Sequence, residues 1–478
     1  MTTAGNFAYA RLAQELAAAI RGGRIVAGER LPSLRAQCLR HGVSLSTALQ
    51  AYRQLEADGL IEARPKSGYF ARAAVCGAAC EPDISRPSHA PGSITVARLA
   101  LDILQQARRP GVLNLGAVVP GPELLPLRPL LRELGRQARH DPLSLGRYEV
   151  PAGHPELRAQ IARLLAHDGC RCRPDEIIVT NGCMEAIALA LRAVARPGDV
   201  IAIESPTFYG ILQTIAALGM LALELPTHPR DGIDLDALQQ ALDTQRVAAI
   251  LLVPSFNNPL GSNMPLAHRR RLAALVERCG VPLIEDDIYG DLAFHAPRLP
   301  TVKSFDRSGG VLLCSSFSKT LAPGLRLGYV LPGRYAAEVE HLKLLGTIAT
   351  AGLPQLALAA YLKHGGYARV VAQAARIYQQ RGERLRRQIL ESFPAGTRVT
   401  QPQGGFVSWV ELPEHMDGVL LYEAALREGV AVTPGVIFSP RGDYRHHLRL
   451  SCGQLDEAAL AQGVEKLARL ARRQARVR

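Results

Sequence analysis

Apolar residues recur along this chain in two rhythms, and the rhythm changes near residue 110. Between Phe7 and Ile20, the residues Leu12, Leu16 and Ile20 are spaced by four, which predicts one buried face of a helix that Gly22-Gly23 stops. Pro32-Ser33 predicts a second helix start, with Ser33 as the N-cap. Ser44 opens a third helix, SLSTALQAYRQLEADG, in which Ala48, Tyr52 and Leu55 face inward and Gly59 ends the run. LIEAR, a turn at Pro65-Lys66-Ser67-Gly68 and YFA then predict a short two-stranded ribbon. Three helices and a ribbon make a winged helix-turn-helix, here spanning 1–72.

Residues 73–107 contain CGAACEPDISRPSHAPGS and have no clear period, so a linker is expected there, with a helix resuming near Ile94. Over 108–478 the pattern becomes short, nearly all-apolar runs: Ile177–Val179, Val200–Ile203, Ala249–Val253, Val281–Ile284 and Val311–Leu313. Strands of that kind are covered on both faces, and helical patterns separate most of them. The expectation is an α/β fold with a mostly parallel sheet covered by helices.

Bulk properties narrow the class. The length of 478 residues calls for two or three domains, and 47% hydrophobic with 21% charged residues describes a soluble globular protein. No apolar run reaches the ~18 residues of a membrane span. The start, MTTAGNFAYARLAQEL, has no basic-then-apolar leader, so a cytoplasmic protein without a membrane partner is expected. The net charge is +13, and residues 1–72 hold ten Lys/Arg against five Asp/Glu, a surface suited to nucleic acid. The basic end, LARLARRQARVR, reads as a solvated helix face. Among nine cysteines, the spacings Cys76/Cys80 and Cys170/Cys172 suit neither zinc nor a redox pair; reduced structural thiols and no metal are expected.

The ends of the apolar runs carry the chemistry, where α/β sheets bind ligands. After the first come Thr180-Asn181-Gly182-Cys183-Met184, a glycine turn opening a helix, which presents N–H groups to an anion. After the second come Glu204-Ser205-Pro206-Thr207-Phe208-Tyr209, and after the third Pro254-Ser255-Phe256-Asn257-Asn258-Pro259. The fourth ends in Glu285-Asp286-Asp287-Ile288-Tyr289, acids that suit a cation such as a protonated ring nitrogen. The fifth leads into SSFSKTLAPGLRLGY, where Ser316, Ser318 and Arg326 suit a phosphate and Lys319 suits either a phosphate or a carbonyl carbon.

Two resemblances follow. GERLPSLR, VSLSTALQAYRQLEADGLI and KSGYF are similar to the DNA-binding domain of the GntR family over about 65 residues. That resemblance implies contacts to an operator in double-stranded DNA from Arg35, Ser44, Ser46 and Thr47, with Gly68 admitting the wing backbone to the minor groove and Arg64 and Lys66 at the wing tip. Leu45 and Leu49 stand where the family often has arginines, so either Gln50 and Arg53 take over base readout or DNA shape carries more of it.

From about 110 onward, N-N-P-L-G, E-D-D-I-Y and S-F-S-K-(x)6-R resemble, in order, the fold-type I aminotransferases that use pyridoxal 5′-phosphate. This implies that Lys319 forms a Schiff base with the cofactor aldehyde. It also implies that Ser316, Ser318, Arg326 and the N–H groups of Cys183 and Met184 hold the phosphate, and that Asp286 pairs with the pyridine nitrogen. Asn258 and Tyr289 are matched to the phenolic oxygen, Phe208 (or its neighbour Tyr209) to the ring face, Tyr148 to the phosphate across a dimer interface, and Arg449 to an effector carboxylate.

A GntR-type head on an aminotransferase-like body resembles the MocR subfamily of regulators. The resemblance implies a head-to-tail homodimer that senses the cofactor or a small-molecule amino effector. Two other classes stay open: a working aminotransferase, separated by steady-state turnover, and a DNA-binding dimer that holds no cofactor, separated by the absence of the cofactor's visible absorbance.

Overall fold

The computed structural model describes residues 4–21, 24–25, 28–57, 60–64, 67–71, 81–88, 90–94, 103, 105 and 111–476. The expected glycine stops at Gly22-Gly23 and Gly59, the wing residues Pro65 and Lys66, the pair Cys76/Cys80 and most of the helix expected after Ile94 lie outside them. The chain divides into two compact units, Met1–Cys80 and Glu81–Arg478.

In the first unit, α1 (Ala4–Arg21), α2 (Leu34–His41) and α3 (Leu45–Ala57) precede a ribbon of β1 (Ile61–Arg64) and β2 (Gly68–Ala71). Ser33 caps α2 as expected: its Oγ accepts the Ala36 N–H at 3.2 Å, and Gly42, at φ 64°, closes the other end. Ser44 caps α3, its Oγ accepting the Thr47 N–H at 3.2 Å. Leu12, Leu16, Ile20, Ala48, Tyr52, Leu55 and Ile61 form one core, so the every-fourth-residue pattern does face inward. The Tyr52 hydroxyl donates to the Pro32 carbonyl at 2.6 Å and accepts from Gln37 Nε2 at 3.3 Å, tying α3 to the entry of α2.

The second unit begins with extended segments, residues 81–88 and 90–94, which fall within the expected linker. They lie along the body. Glu81 accepts the Gln401 N–H at 2.8 Å, Asp83 pairs with Arg398 at 2.8 Å, Ser85 Oγ accepts the Thr227 N–H at 2.7 Å, and Gly92 bridges Ala222.

Its strands are β3 (Leu113–Asn114), β4 (Ile178–Thr180), β5 (Val200–Ser205), β6 (Leu221–His228), β7 (Gly232–Ile233), β8 (Val247–Leu252), β9 (Leu283–Asp286), β10 (Val311–Ser316) and β11 (Gly328–Leu331). A smaller part adds β12 (Arg398–Val399), β13 (Val407–Glu411), β14 (Val430–Ala431), β15 (Thr433–Pro434) and β16 (His447–Ser451). The main sheet has the order β4-β11-β10-β9-β8-β5-β6-β7. The run β10-β9-β8-β5-β6 is parallel, and β11 is antiparallel to both β10 and β4. The five apolar runs became β4, β5, β8, β9 and β10. Ile201 and Ile203 of β5 pack into one core cluster and Ala202 into another, which is why such a run carries no alternation. The parallel run points the ends of β5, β8, β9 and β10, with the loops that follow, to one edge of the sheet. A second sheet, β12-β13-β16-β15, is antiparallel, and β3 pairs with β14 beside it.

Candidate functional site

The strand ends converge on a cavity of about 600 Å³, lined by Cys183, Met184, Phe208, Asn258, Asp286, Tyr289, Ser316, Ser318, Lys319 and Arg326 among others. Ten of the residues singled out from strand-end chemistry are therefore neighbours in space.

Lys319 follows β10 in a tight turn. Its Nζ donates to the Val118 carbonyl at 2.6 Å and sits 5.8 Å from the centre of the Tyr289 ring. Burial, with the Arg449 charge second, pushes this amine down to about 8, against the pull of Asp286. Asp286 closes β9 and is buried. Its Oδ1 accepts from the Cys183 thiol at 3.3 Å and from the Ile288 N–H at 3.1 Å. Burial pushes its carboxyl up to about 6, while those two donors and Lys319 pull the other way. A cation beside it would hold it ionised.

At one side of the cavity, the helix Cys183–Val194 starts after Gly182, whose φ is 85° and which offers no side-chain cap. The first-turn N–H groups are thus available to an anion. Arg326 lies over this turn: its Nη2 donates to the Asn181 carbonyl at 3.2 Å and its Nη1 to Ser318 Oγ at 3.3 Å. A Cβ at Gly182 would come within 2.5 Å of Arg326 Nη2, so the close approach requires glycine. Arg326 itself adopts φ 53°, the left-handed region that a non-glycine residue adopts at a cost. Ser316 Oγ accepts the Ser318 N–H at 3.3 Å. Two hydroxyls, one guanidinium and a helix start together form a cradle complementary in charge and donors to a phosphate group.

Arg449 reaches the same region from β16. It is buried, its Nη1 donates to Asn258 Oδ1 at 3.2 Å, and its Nη2 donates to Thr433 Oγ1 at 3.0 Å and to the Gly116 carbonyl. Its Nε has no partner, and no carboxylate lies within ion-pair distance of it among the described residues. Burial lowers its pKa. A buried guanidinium satisfied only by neutral oxygens has capacity left for a carboxylate. Tyr289 is buried near Asn258 and its pKa is raised by burial. Phe208 lines the cavity, with the Tyr209 ring 4.6 Å away.

Tyr148 is not in this group: it is 83% exposed on the surface of the chain. Conversely, Asn114, Gly116, Val118, Thr433 and Gln454 line the cavity without having been singled out. They come from the stretch around β3 and from the smaller part, where no strand-end motif marks them. Lys319's carbonyl partner, Val118, was invisible because any residue can supply that atom.

In the first unit Arg35, Ser44, Ser46, Gln50, Arg53, Arg64 and Gly68 are exposed and Thr47 is half-buried. Ser44 Oγ lies 2.8 Å from both Ser46 Oγ and Thr47 Oγ1, so three hydroxyls cluster at the start of α3. Leu45 is exposed on the same helix, an apolar side chain with no core role. Arg64 pairs with Glu62 at 2.7 Å and covers the Phe70 ring at 4.4 Å, which fixes it on the ribbon. Gly68 has φ 102°, and Arg30 packs within 3.2 Å of where a Cβ would stand. Lys66 lies outside the described residues.

A winged helix-turn-helix and a fold-type I body with a phosphate cradle, a buried lysine and a buried acid define a two-part class: a DNA-binding head joined to a pyridoxal-phosphate body. The comparisons agree. Residues 8–70 match the bacterial regulatory proteins of the gntR family, and residues 125–467 match aminotransferase class I and II. The chain belongs to the GntR regulators that carry an aminotransferase class I and II domain, the MocR subfamily. It is 41% identical over 93% of its length to the uncharacterized HTH-type transcriptional regulator YjiR of Escherichia coli (strain K12), covering 94% of that protein. It is 28% identical, over 89% of this chain and 86% of the other, to the probable rhizopine catabolism regulatory protein MocR of Rhizobium meliloti. The crystal structure of LysN, an alpha-aminoadipate aminotransferase from Thermus thermophilus complexed with N-(5′-phosphopyridoxyl)-L-leucine, superposes with a TM-score of 0.72 at 30% identity, covering 78% of this chain and 97% of that one. Pyridoxal phosphate is the cofactor of this fold, and the cradle and buried acid described above fit it.

Proposed function

We propose that this protein is a transcriptional regulator whose DNA-binding head answers to amine chemistry at Lys319. The observation that carries the reading is the convergence of Lys319 and Asp286 on one cavity, with the buried Arg449 bonded just behind its lining residues Asn258, Gly116 and Thr433, in a chain that carries a winged helix-turn-helix. In this reading Ser316, Ser318, Arg326 and the N–H groups of Cys183 and Met184 hold the cofactor phosphate. Asp286 balances the charge of the pyridine nitrogen. Asn258 and Tyr289 hydrogen-bond the phenolic oxygen, and Phe208 covers a ring face. When bound, pyridoxal phosphate supplies an aldehyde carbon that exchanges one amine for another.

Lys319 contributes an amine lowered to about 8, so a usable fraction is neutral and nucleophilic near neutral pH. With the cofactor in place, Lys319 would yield its position at the aldehyde carbon to an incoming amino compound, leaving as the free amine, and Arg449 would receive the carboxylate of a compound that has one. Both events change the charge in the cavity, and an effector shifts the protein's conformations only through such differential contacts. The head uses Arg35, Ser44, Ser46 and Thr47 on phosphates, Gln50 and Arg53 on base edges, and Arg64, Lys66 and Gly68 at the wing.

A homodimer, head to tail, completes this reading. Residues 127–150 expose Leu127, Leu131, Leu143, Leu145, Tyr148 and Val150, and such a concentration of large apolar side chains marks a contact surface. Tyr148 would then serve the phosphate of a second copy. A cytoplasmic setting suits an operator-binding protein, and no helix among the described residues is long and apolar enough to cross a membrane.

The test is borohydride reduction of cofactor-loaded protein followed by peptide mass mapping, alongside a turnover assay with amino donors. A pyridoxyl mass on the Lys319 peptide with negligible turnover supports the regulator. Sustained turnover would favour the aminotransferase reading, and no adduct at all would remove the sensing role.

A further inference from the structure

Away from the cofactor cavity, the smaller sheet gathers two imidazoles and a carboxylate. Glu411 ends β13, and His447 at the start of β16 is its direct cross-strand partner. His446 stands in the turn just before, its ring 4.3 Å from that of His447. One ligand atom from each of the three lies within 4.8 Å of the others. None of the three lines the cofactor cavity.

We propose that Glu411, His446 and His447 bind one divalent transition-metal ion of the zinc, nickel or copper class. Two nitrogens and one carboxylate oxygen are the donor set such ions prefer, whereas magnesium and calcium demand oxygens. Metal–donor bonds of about 2 Å place tetrahedral donors roughly 3.3 Å apart, so ion binding draws the three together from their separation of up to 4.8 Å. A second feature points to a ligand independently of the clustering: His447 is only 7% exposed, yet its Nδ1 has no hydrogen-bond partner. A buried polar atom without a partner calls for an explanation, and a bound ion is one that fits a ring nitrogen beside a second imidazole and a carboxylate.

The surroundings favour a cation. Glu411 is approached by Arg398 at 3.7 Å, but the same Arg398 Nη1 lies closer, at 2.8 Å, to Asp83. Asp83 and Glu414 are two further acids that act on Glu411 alongside Arg398. The half-buried His446 and a Glu411 side chain 18% exposed leave a path from solvent.

The chain carries its own reporter. Trp409, the single tryptophan, stacks on His447 with ring centres 5.1 Å apart and an interplanar angle of 21°. Full-length protein, stripped with EDTA, is titrated with Ni²⁺ or Co²⁺ while tryptophan emission is followed. The expected result is saturable quenching at one ion per chain, reversed by EDTA and by competing Zn²⁺. His446→Ala and Glu411→Gln each abolish it while leaving the thermal unfolding and the cofactor absorbance of the protein unchanged. Absence of saturable quenching, or quenching undiminished in either variant, overturns the proposal; undiminished quenching would mean that other histidines hold the ion.

Discussion

The Cys183 thiol donates to the Asp286 carboxylate, Sγ to Oδ1 at 3.3 Å, linking the first residue of the helix Cys183–Val194 to the last residue of β9. From the resemblance alone, Cys183 contributed only a backbone N–H. Its side chain has a second consequence, because a donor to the carboxylate favours the ionised form.

Cofactor binding should therefore weaken in acid, and Cys183 should set where. Asp286 is raised to about 6, and a carboxylate is needed opposite a cationic ring nitrogen, so that contribution is present above this pKa and fades as pH falls through it. Cys183→Ala removes a lowering influence and should move the loss of affinity to higher pH; Cys183→Ser should restore the wild-type position. Equilibrium binding of the cofactor across pH 5–8, followed by absorbance, reads the shift. Identical profiles for wild type and Cys183→Ala would show the contact to be inert.

Lys319 adds a second dependence of the same sign at higher pH. Its amine is lowered to about 8, so the neutral form grows as pH rises through that value. The rate of covalent cofactor capture should climb between about pH 7 and 9 and level off above, since each unit below the pKa leaves tenfold less neutral amine. Stopped-flow absorbance at saturating cofactor measures it. A rate still climbing tenfold per unit beyond pH 9 would indicate an ordinary, unperturbed lysine.

Arg449 should matter for effectors that carry a carboxylate and little for the cofactor alone. A charge-assisted hydrogen bond contributes about 1.5–3 kcal/mol, so Arg449→Ala should weaken such effectors by ten-fold or more. Its effect on simple amines without a carboxylate should be much smaller. Competition binding with matched pairs of amines and amino acids discriminates the two. Equal losses for both would make Arg449 a structural residue holding Asn258 and Thr433.

In the head, Arg35 and Gln50 should separate phosphate contact from base readout. Arg35→Ala is expected to weaken all DNA sequences about equally and to reduce the salt slope by about 1. Gln50→Ala is expected to cost about 1–3 kcal/mol on the operator and to blunt preference at one base pair. Binding isotherms at several salt concentrations, on operator and scrambled DNA, check both. A sequence-independent effect at Gln50 would shift specificity toward DNA shape, in keeping with exposed Leu45, which offers no polar reach to a base edge.

Much of the body was readable because its strands are covered on both faces and end in chemically distinctive loops. β4, β5, β8, β9 and β10 are such strands, and most of the cavity residues sit at or beyond their ends. β6 and β11 escaped for physical reasons. LALELPTH breaks its apolar run with Glu224, which is buried against Ser205 and Ser439, and with Pro226. GYVL is four residues long and follows an irregular loop. Buried charge was also illegible. Arg269 is completely buried because Met264, Pro254 and Pro300 offer carbonyls and Ser255 and Asn263 side-chain oxygens, a cage that depends on tertiary contacts alone. The stretch 81–94 read as a linker because its Pro and Ser residues show no period, yet an extended segment held by Glu81, Asp83 and Ser85 needs none.

The most direct measurement compares operator affinity of the full-length protein and of Lys319→Ala, each with cofactor alone and with cofactor plus a panel of amino compounds. In wild type, at least one amino compound should change operator affinity several-fold, while Lys319→Ala, with its head intact, binds the operator but shows no such response. A Lys319→Ala protein that responds as wild type does would contradict a sensing role for the amine at residue 319.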